Sequence, residues 1–245
     1  MAKQKGRPFA VFDIDGTLIR WQLYHAIADA LAKKGLIDTK TYSTIQDARM
    51  QWKKRTHGEA FSSYQSELVV AYEKLLLDLS YKQFSAAVAS VFDEYKDQVY
   101  TYTRQLIKDL EKKGYLLFAI SGSQIEIVSK IAKYYGFDDY VGTAYTHEGD
   151  RFTGAVSLHL GGKHVVLQEL VKKHRAAMAG SIAVGDATSD ISMLEIVELP
   201  IVFNPEKKLF DYAQEKGWKI VIERKNMVYE LEQQDGRYIL AKTNN

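Results

Sequence analysis

From about residue 101 onward the chain alternates short apolar runs with amphipathic stretches, and this constrains the fold more than any other feature. "YLLFAIS" (115–121), "SIAVGD" (181–186), "LPIVFN" (199–204) and "WKIVIE" (218–223) read as strands, with helical patterns at 123–135, 162–174, 189–197 and 205–217 between them. "YVGTAY" and "FTGAVSLHL" add two strands around a "HEGDR" turn. Strand–helix–strand repetition requires parallel crossovers, and so predicts an α/β fold with a doubly wound parallel sheet. The first strand, "PFAVFD" (8–13), is separated from this series by residues 21–98, which read as helix throughout. The expected organisation is therefore a catalytic core over 1–18 and 101–225 and an all-helical cap over 19–100. A tail over 226–245 could form a hairpin about Asp235–Gly236.

Composition excludes several functions. At 46% apolar and 26% charged residues, with a net charge of +2, the chain can bury a core but carries no global field that would recruit nucleic acid or an anionic membrane. Without cysteine it has neither disulfides nor thiolate chemistry. No secretory signal or spanning segment is evident, so a cytoplasmic location is expected. His159, His164 and His174 do not form the i, i+4 pair of a zinc-protease helix.

Chemistry is expected at the carboxyl ends of the strands, where open parallel sheets bind their ligands. The first strand ends in "DIDGT", with Asp13 and Asp15. The 115–120 strand ends in Ser121, Gly122 and Ser123, read here as the start of a helix. The 181–185 strand ends in Asp186, with Asp190 four residues on, and Lys163 heads the preceding helix. Clustered carboxylates raise one another's pKa, and a hard dication relieves that cost; all-oxygen ligation suits Mg²⁺. A hydroxyl, free backbone N–H groups and an ammonium suit phosphate oxygens. A carboxylate can attack phosphorus, and a second can serve as acid and then base.

These four segments resemble the motifs of the haloacid-dehalogenase-like phosphohydrolases: "DIDGT", "FAISGS", Lys163 in "GGKHVVLQEL", and "VGDATSDISML". The resemblance implies Asp13 as nucleophile and Asp15 as acid/base. It implies Mg²⁺ held by Asp13, the main-chain carbonyl of Asp15 and Asp186, with Asp190 in support. Ser121, Gly122, Lys163 and Thr17, with the backbone of Ile14 and Gly16, would hold the phosphate and its loop. A helical insertion after the first motif is similar to the cap of the phosphoserine-phosphatase-like branch, where it would act as a lid. Phosphatases of that branch carry a Glu nine residues after the nucleophile; here Gln22 stands there, and Glu67 falls where a cap Arg is expected. Both departures disfavour phosphoserine as the main substrate. Arg20, Gln22 and Arg49 are the candidates for substrate contact from the cap side, among neighbours that include Trp21, Trp52, Lys53 and Arg55.

The expected function is a Mg²⁺-dependent phosphomonoesterase acting on a small phosphorylated metabolite, with no nucleic-acid or membrane partner and an oligomeric state left open. The alternatives are a phosphomutase or phosphotransferase on the same fold, or a receiver-type module that stores the phosphoryl group as a signal.

Overall fold

The computed structural model describes residues 6–55, 60–157 and 162–244. The chain divides into two compact units: Met1–Trp21, Tyr95–Thr143 and Leu158–Asn245 form the first, and Gln22–Glu94 with Ala144–Ser157 form the second.

The first unit is built on a twisted sheet. Its central strand β1 (Pro8–Phe12) is buried over four of its five residues, as expected for an apolar run covered on both faces. β1 pairs in parallel with β2 (Leu116–Gln124) on one side and β5 (Ala177–Gly185) on the other, with Phe9 beside Leu116 and Ala10 beside Ile182. β3 (Asp139–Glu148) lies beyond β2, while β6 (Leu199–Phe203) and β7 (Lys219–Arg224) lie beyond β5, all parallel. β8 (Met227–Gln234) and β9 (Arg237–Asn244) continue the sheet as an antiparallel meander, turning at Asp235 and Gly236, both with positive φ. The hydrogen-bonded order is β3-β2-β1-β5-β6-β7-β8-β9. The chain winds outward from β1 to β3, then returns and winds out the other way from β5. The β1/β5 boundary is thus the topological switch point.

Helices α5 (Thr101–Lys112), α6 (Ile125–Tyr134), α7 (Lys163–His174), α8 (Ile191–Leu194) and α9 (Lys207–Lys216) make the crossovers. The apolar sides of α7, α8 and α9 join Phe9, Val11, Phe118 and Ile120 in one core that takes in Leu167, Leu194 and Leu209. The start of α5 is fixed from a distant strand. Glu223 of β7 accepts from the amides of Thr101 (3.0 Å) and Tyr102 (2.9 Å), satisfying two donors that a helix N-terminus leaves open.

The second unit contains α1 (Leu23–Lys33), α2 (Thr39–Lys54), α3 (Ala60–Asp78) and α4 (Tyr81–Tyr95). Asp38 caps α2 by accepting from the Thr41 amide at 2.9 Å. Ser80 forms a reciprocal box with Gln83 at the start of α4 (3.1 and 3.0 Å). The unit also holds a hairpin, made of the second half of β3 and β4 (Arg151–Ser157), with Ala144 opposite Ser157 and Glu148 opposite Arg151. Its tip binds α4 through the Tyr81 amide to the Asp150 carbonyl (2.9 Å), and the Tyr81 ring stacks on His147 with centroids 3.8 Å apart.

Four expectations need correction. The insertion between β1 and α5 is helical, but the unit it forms is not all-helical, because the 144–157 hairpin belongs to it. Its boundaries also differ from 19–100. Ile19 bridges to Val99 and the Arg20 amide donates to the Gln98 carbonyl, which keeps both flanks with the first unit. β2 runs on through Ser121–Ser123 to Gln124, so these residues do not open a helix. β5 begins at Ala177, not residue 181. Gly58 and His159 lie outside the described residues.

Candidate active site

The geometry starts with a tight loop after β1. The Asp13 amide continues the ladder to the Val184 carbonyl at 2.9 Å, so the first carboxylate is carried by the sheet itself. The Leu18 and Ile19 amides then fold back on the Ile14 carbonyl (2.9 and 2.8 Å), and the Gly16 amide donates to the Ile19 carbonyl at 3.0 Å. Gly16 has φ +79°, and a Cβ there would lie 2.2 Å from Asp186 Oδ2. Glycine is required both for the turn and for the approach of that carboxylate. Thr103 of α5 donates its hydroxyl to the Thr17 carbonyl at 2.9 Å and pins the loop from behind.

One network joins the side chains. Lys163 Nζ donates to Asp13 Oδ1 at 2.5 Å and to Asp190 Oδ1 at 2.6 Å. The Ser121 hydroxyl donates to Asp15 Oδ2 at 2.8 Å and accepts from the Ser123 amide at 2.9 Å. The Thr17 hydroxyl donates to Asp186 Oδ1 at 3.2 Å. Asp190 Oδ2 accepts from the amides of Asp186 (2.9 Å) and Ala187 (3.0 Å), so it braces the loop that presents Asp186. A Cβ on Gly185 would sit 2.5 Å from Asp190, so this glycine makes room for the brace. Gly122 is exposed, and its carbonyl accepts from the Thr143 hydroxyl at 2.7 Å.

Electrostatics define what the site can hold. Asp13, Asp186 and Asp190 each place a carboxylate oxygen within 4.8 Å of the others. Burial pushes the Asp13 carboxyl up to about 7; Lys163 opposes this, while Asp190 and Asp15 add to it. Burial also lifts Asp186 well above the usual carboxylate range, reinforced by the charges of Asp13 and Asp190 and opposed by Lys163 and Thr17. Lys163 is raised because its two carboxylate partners outweigh its burial. Four carboxylates around one ammonium leave excess negative charge in a dry place, which is costly as it stands. A hard dication with oxygen ligands fits this donor set, and the amides and Lys163 on Asp190 leave Asp13 and Asp186 as its principal anionic groups.

Every residue expected at the strand ends is thus brought into one place: Asp13, Asp15, Thr17, Ser121, Lys163, Asp186 and Asp190, with Gly122 beside them. Sequence reasoning missed Gly185, Thr103 and Thr143, which hold the shape of the site. The candidates for substrate contact are placed differently. The Arg20 guanidinium lies in the first unit over the Tyr100 ring, 5.5 Å from its centroid. Gln22 is the N-cap residue of α1 in the second unit. Arg49 is buried in that unit, paired with both oxygens of Asp29 (2.9 and 2.8 Å) and donating to the Tyr64 hydroxyl at 3.2 Å. Glu67 is exposed on α3. The His174 ring bonds Asp139 at 2.6 Å, at the end of α7 away from Lys163.

Fold and site define the class: a doubly wound α/β protein with a carboxylate cluster at its switch point. A family model of haloacid dehalogenase-like hydrolases matches residues 10–195, and the chain belongs to that family. A histidinol-phosphatase of Neisseria meningitidis serogroup C (strain 8013) is 25% identical over 227 residues, covering 86% of this chain and 97% of the relative. The phosphoserine phosphatase SerB1 of Mycobacterium tuberculosis (strain ATCC 25618 / H37Rv) is 25% identical over 222 residues, covering 86% of this chain and 69% of the relative. The fold is that of the phosphoserine-phosphatase-like branch. A phospho-aspartyl intermediate analogue of phosphoserine phosphatase superposes with a TM-score of 0.62 at 20% identity, covering 90% of this chain and 95% of that one. Among the described residues no helix is long and apolar enough to cross a membrane.

Proposed function

We propose that this protein is a Mg²⁺-dependent, cytoplasmic phosphomonoesterase that hydrolyses a small phosphorylated metabolite through an aspartyl-phosphate on Asp13. The observation that carries this reading is the difference in surroundings between two carboxylates separated by a single residue, Ile14. Asp13 is buried at the end of the central strand with an ammonium on one oxygen. Asp15 is turned to a different partner, the Ser121 hydroxyl. Two acids with different surroundings suit two different roles.

The reaction takes two displacements. An Asp13 carboxylate oxygen attacks phosphorus, the ester P–O bond breaks, and Asp15 gives its proton to the departing alkoxide. Water then attacks the phosphorus of the aspartyl-phosphate and gives a proton to Asp15. The bond between phosphorus and the Asp13 oxygen breaks, releasing inorganic phosphate. Lys163 balances charge on Asp13 throughout. Ser121 keeps the Asp15 carboxyl oriented, and the exposed backbone at Gly122 is available to phosphoryl oxygens. A dication held by Asp13, the Asp15 carbonyl and Asp186 would supply charge neutralisation at the phosphoryl group.

Both curated relatives bear the names of small-metabolite phosphatases, which supports that substrate class. Gln22 and Glu67 in place of the expected acid and base argue against phosphoserine as the main substrate.

The intermediate is tested by acid-quenching the Asp15→Asn variant with an ester substrate and mapping phosphorylated peptides by mass spectrometry. Loss of the acid/base group slows turnover by about 10²–10⁴-fold, and the phosphoryl group is expected on the peptide that contains Asp13. Phosphate on another residue, or undiminished turnover in the variant, overturns the assignment.

A further inference from the structure

Gln124, in the first unit, is fully buried, yet neither its amide nitrogen nor its amide oxygen has a hydrogen-bond partner among the described residues. A buried polar group left unpaired forfeits its hydration without replacement, so native chains rarely keep one without a use for it. Its position is informative. Gln124 is the last residue of β2, three beyond Ser121, and it lies in register with Thr143, whose hydroxyl closes on the Gly122 carbonyl. It therefore stands at the carboxyl end of a strand neighbouring β1, on the rim where this sheet gathers its reactive groups.

The same lack of partners is felt at the helix start. Gln124 is also the N-cap residue of α6, with φ −61° and ψ 137°, and its side chain makes no capping bond. A Ser, Thr, Asp or Asn at that position would satisfy an open helix amide. The chain instead carries a longer amide that neither caps the helix nor pairs with the protein. The unmet amide thus lies next to the strand end that supplies Ser121.

We infer that Gln124 is a specificity-determining residue that reads the alcohol portion of the substrate. The inference rests on the phosphomonoesterase reading. A primary amide offers a donor and an acceptor side by side, so its complement is a leaving alcohol that itself carries a nitrogen or oxygen function able to accept and donate. A hydrogen bond to a group already withdrawn from water discriminates more strongly than one made at the surface, because an analogue without the matching function leaves the amide unpaired. The substrate class is a phosphate ester of a polar, nitrogen- or oxygen-substituted alcohol, in preference to an aryl or alkyl ester.

The test compares kcat/KM for four esters: histidinol phosphate, phosphoethanolamine and glycerol phosphate on the polar side, and 4-nitrophenyl phosphate on the apolar side. Wild type and Gln124→Met are measured, the methionine matching the shape of glutamine without its polar atoms. The wild type is expected to prefer at least one polar ester over the aryl ester. Gln124→Met is expected to reduce that preference by about tenfold or more, with a melting temperature equal to or above the wild type. An equal loss on all four esters with a lower melting temperature marks a structural role and overturns the inference. An unchanged preference marks an amide satisfied by trapped water and overturns it as well. A wild type that hydrolyses none of the four defeats the phosphomonoesterase reading and the inference with it.

Discussion

Two glycines and a lysine hold the carboxylates of this site where a reaction can use them. Gly16 gives the positive φ and the open space that Asp186 occupies. Gly16→Ala is expected to cost about 1–3 kcal/mol, from a strained backbone and a displaced carboxylate. Its kcat/KM should fall further than that loss of stability explains. Thermal melting and kinetics on one preparation check this, and full activity in the alanine variant would show that Asp186 does not need its present position. Lys163 lies between Asp13 and Asp190, with side-chain exposures of 13%, 8% and 0%. Lys163→Met leaves two buried carboxylates without their ammonium, a loss of about 3–5 kcal/mol in chemical denaturation. A variant as stable as wild type would contradict the pairing. Asp13, Asp15, Ser121, Lys163 and Asp186 were all legible in the sequence, because each follows or heads an element that the periodicity announces. Thr103 and Thr143 were not, since a threonine that bonds a carbonyl on a distant loop leaves no local pattern.

At the scale of single elements, the sequence located most helices and strands but misjudged where some end. Ser121–Gly122–Ser123 looks like the opening of a helix because small polar residues favour caps. In the structure the register with the parallel partner β3 breaks after Ile120 and resumes at Gln124 opposite Thr143, a long-range pairing that no local preference contains. The α1–α2–α3 part of the second unit carries its own pH dependence. The His25 ring packs edge-on against Tyr64 (centroids 4.4 Å) and Trp52 (5.7 Å). Burial first, and the charges of Arg49 and Lys53 after it, hold its imidazole down to about 3. Between that value and the ordinary value of 6.5 the unfolded chain binds a proton that the folded chain does not. Stability from this residue is therefore whole above about pH 6.5 and is lost as pH falls, by at most about 1.4 kcal/mol per unit. His25→Phe is expected to flatten the decline in melting temperature between pH 6 and 4 relative to wild type. An identical slope in both proteins would show that His25 is not the group being protonated.

For the molecule as a whole, the doubly wound parallel sheet and the convergence of motifs at the carboxyl ends of its strands followed from alternating strand and helix, whereas the reversal beside β1 is set by strand pairing. The division into units followed less well. The 140–160 region carries the same strand signals as the core, but its outer half pairs with itself and packs against Tyr81 and Phe84, so it belongs with the helices. Strand propensity says that a segment extends, and only tertiary pairing says which body it joins. The first unit serves a single arrangement: acidic groups following β1 and β5, a lysine from α7 and a hydroxyl from β2, gathered at the carboxyl ends of its central strands. The most direct test is release of inorganic phosphate from 4-nitrophenyl phosphate by wild type and Asp13→Asn, each measured after chelation and after adding back Mg²⁺. Wild type is expected to turn over only with the metal restored, and Asp13→Asn with neither treatment. Hydrolysis by Asp13→Asn at the wild-type rate, or by wild type in the presence of chelator, would contradict it.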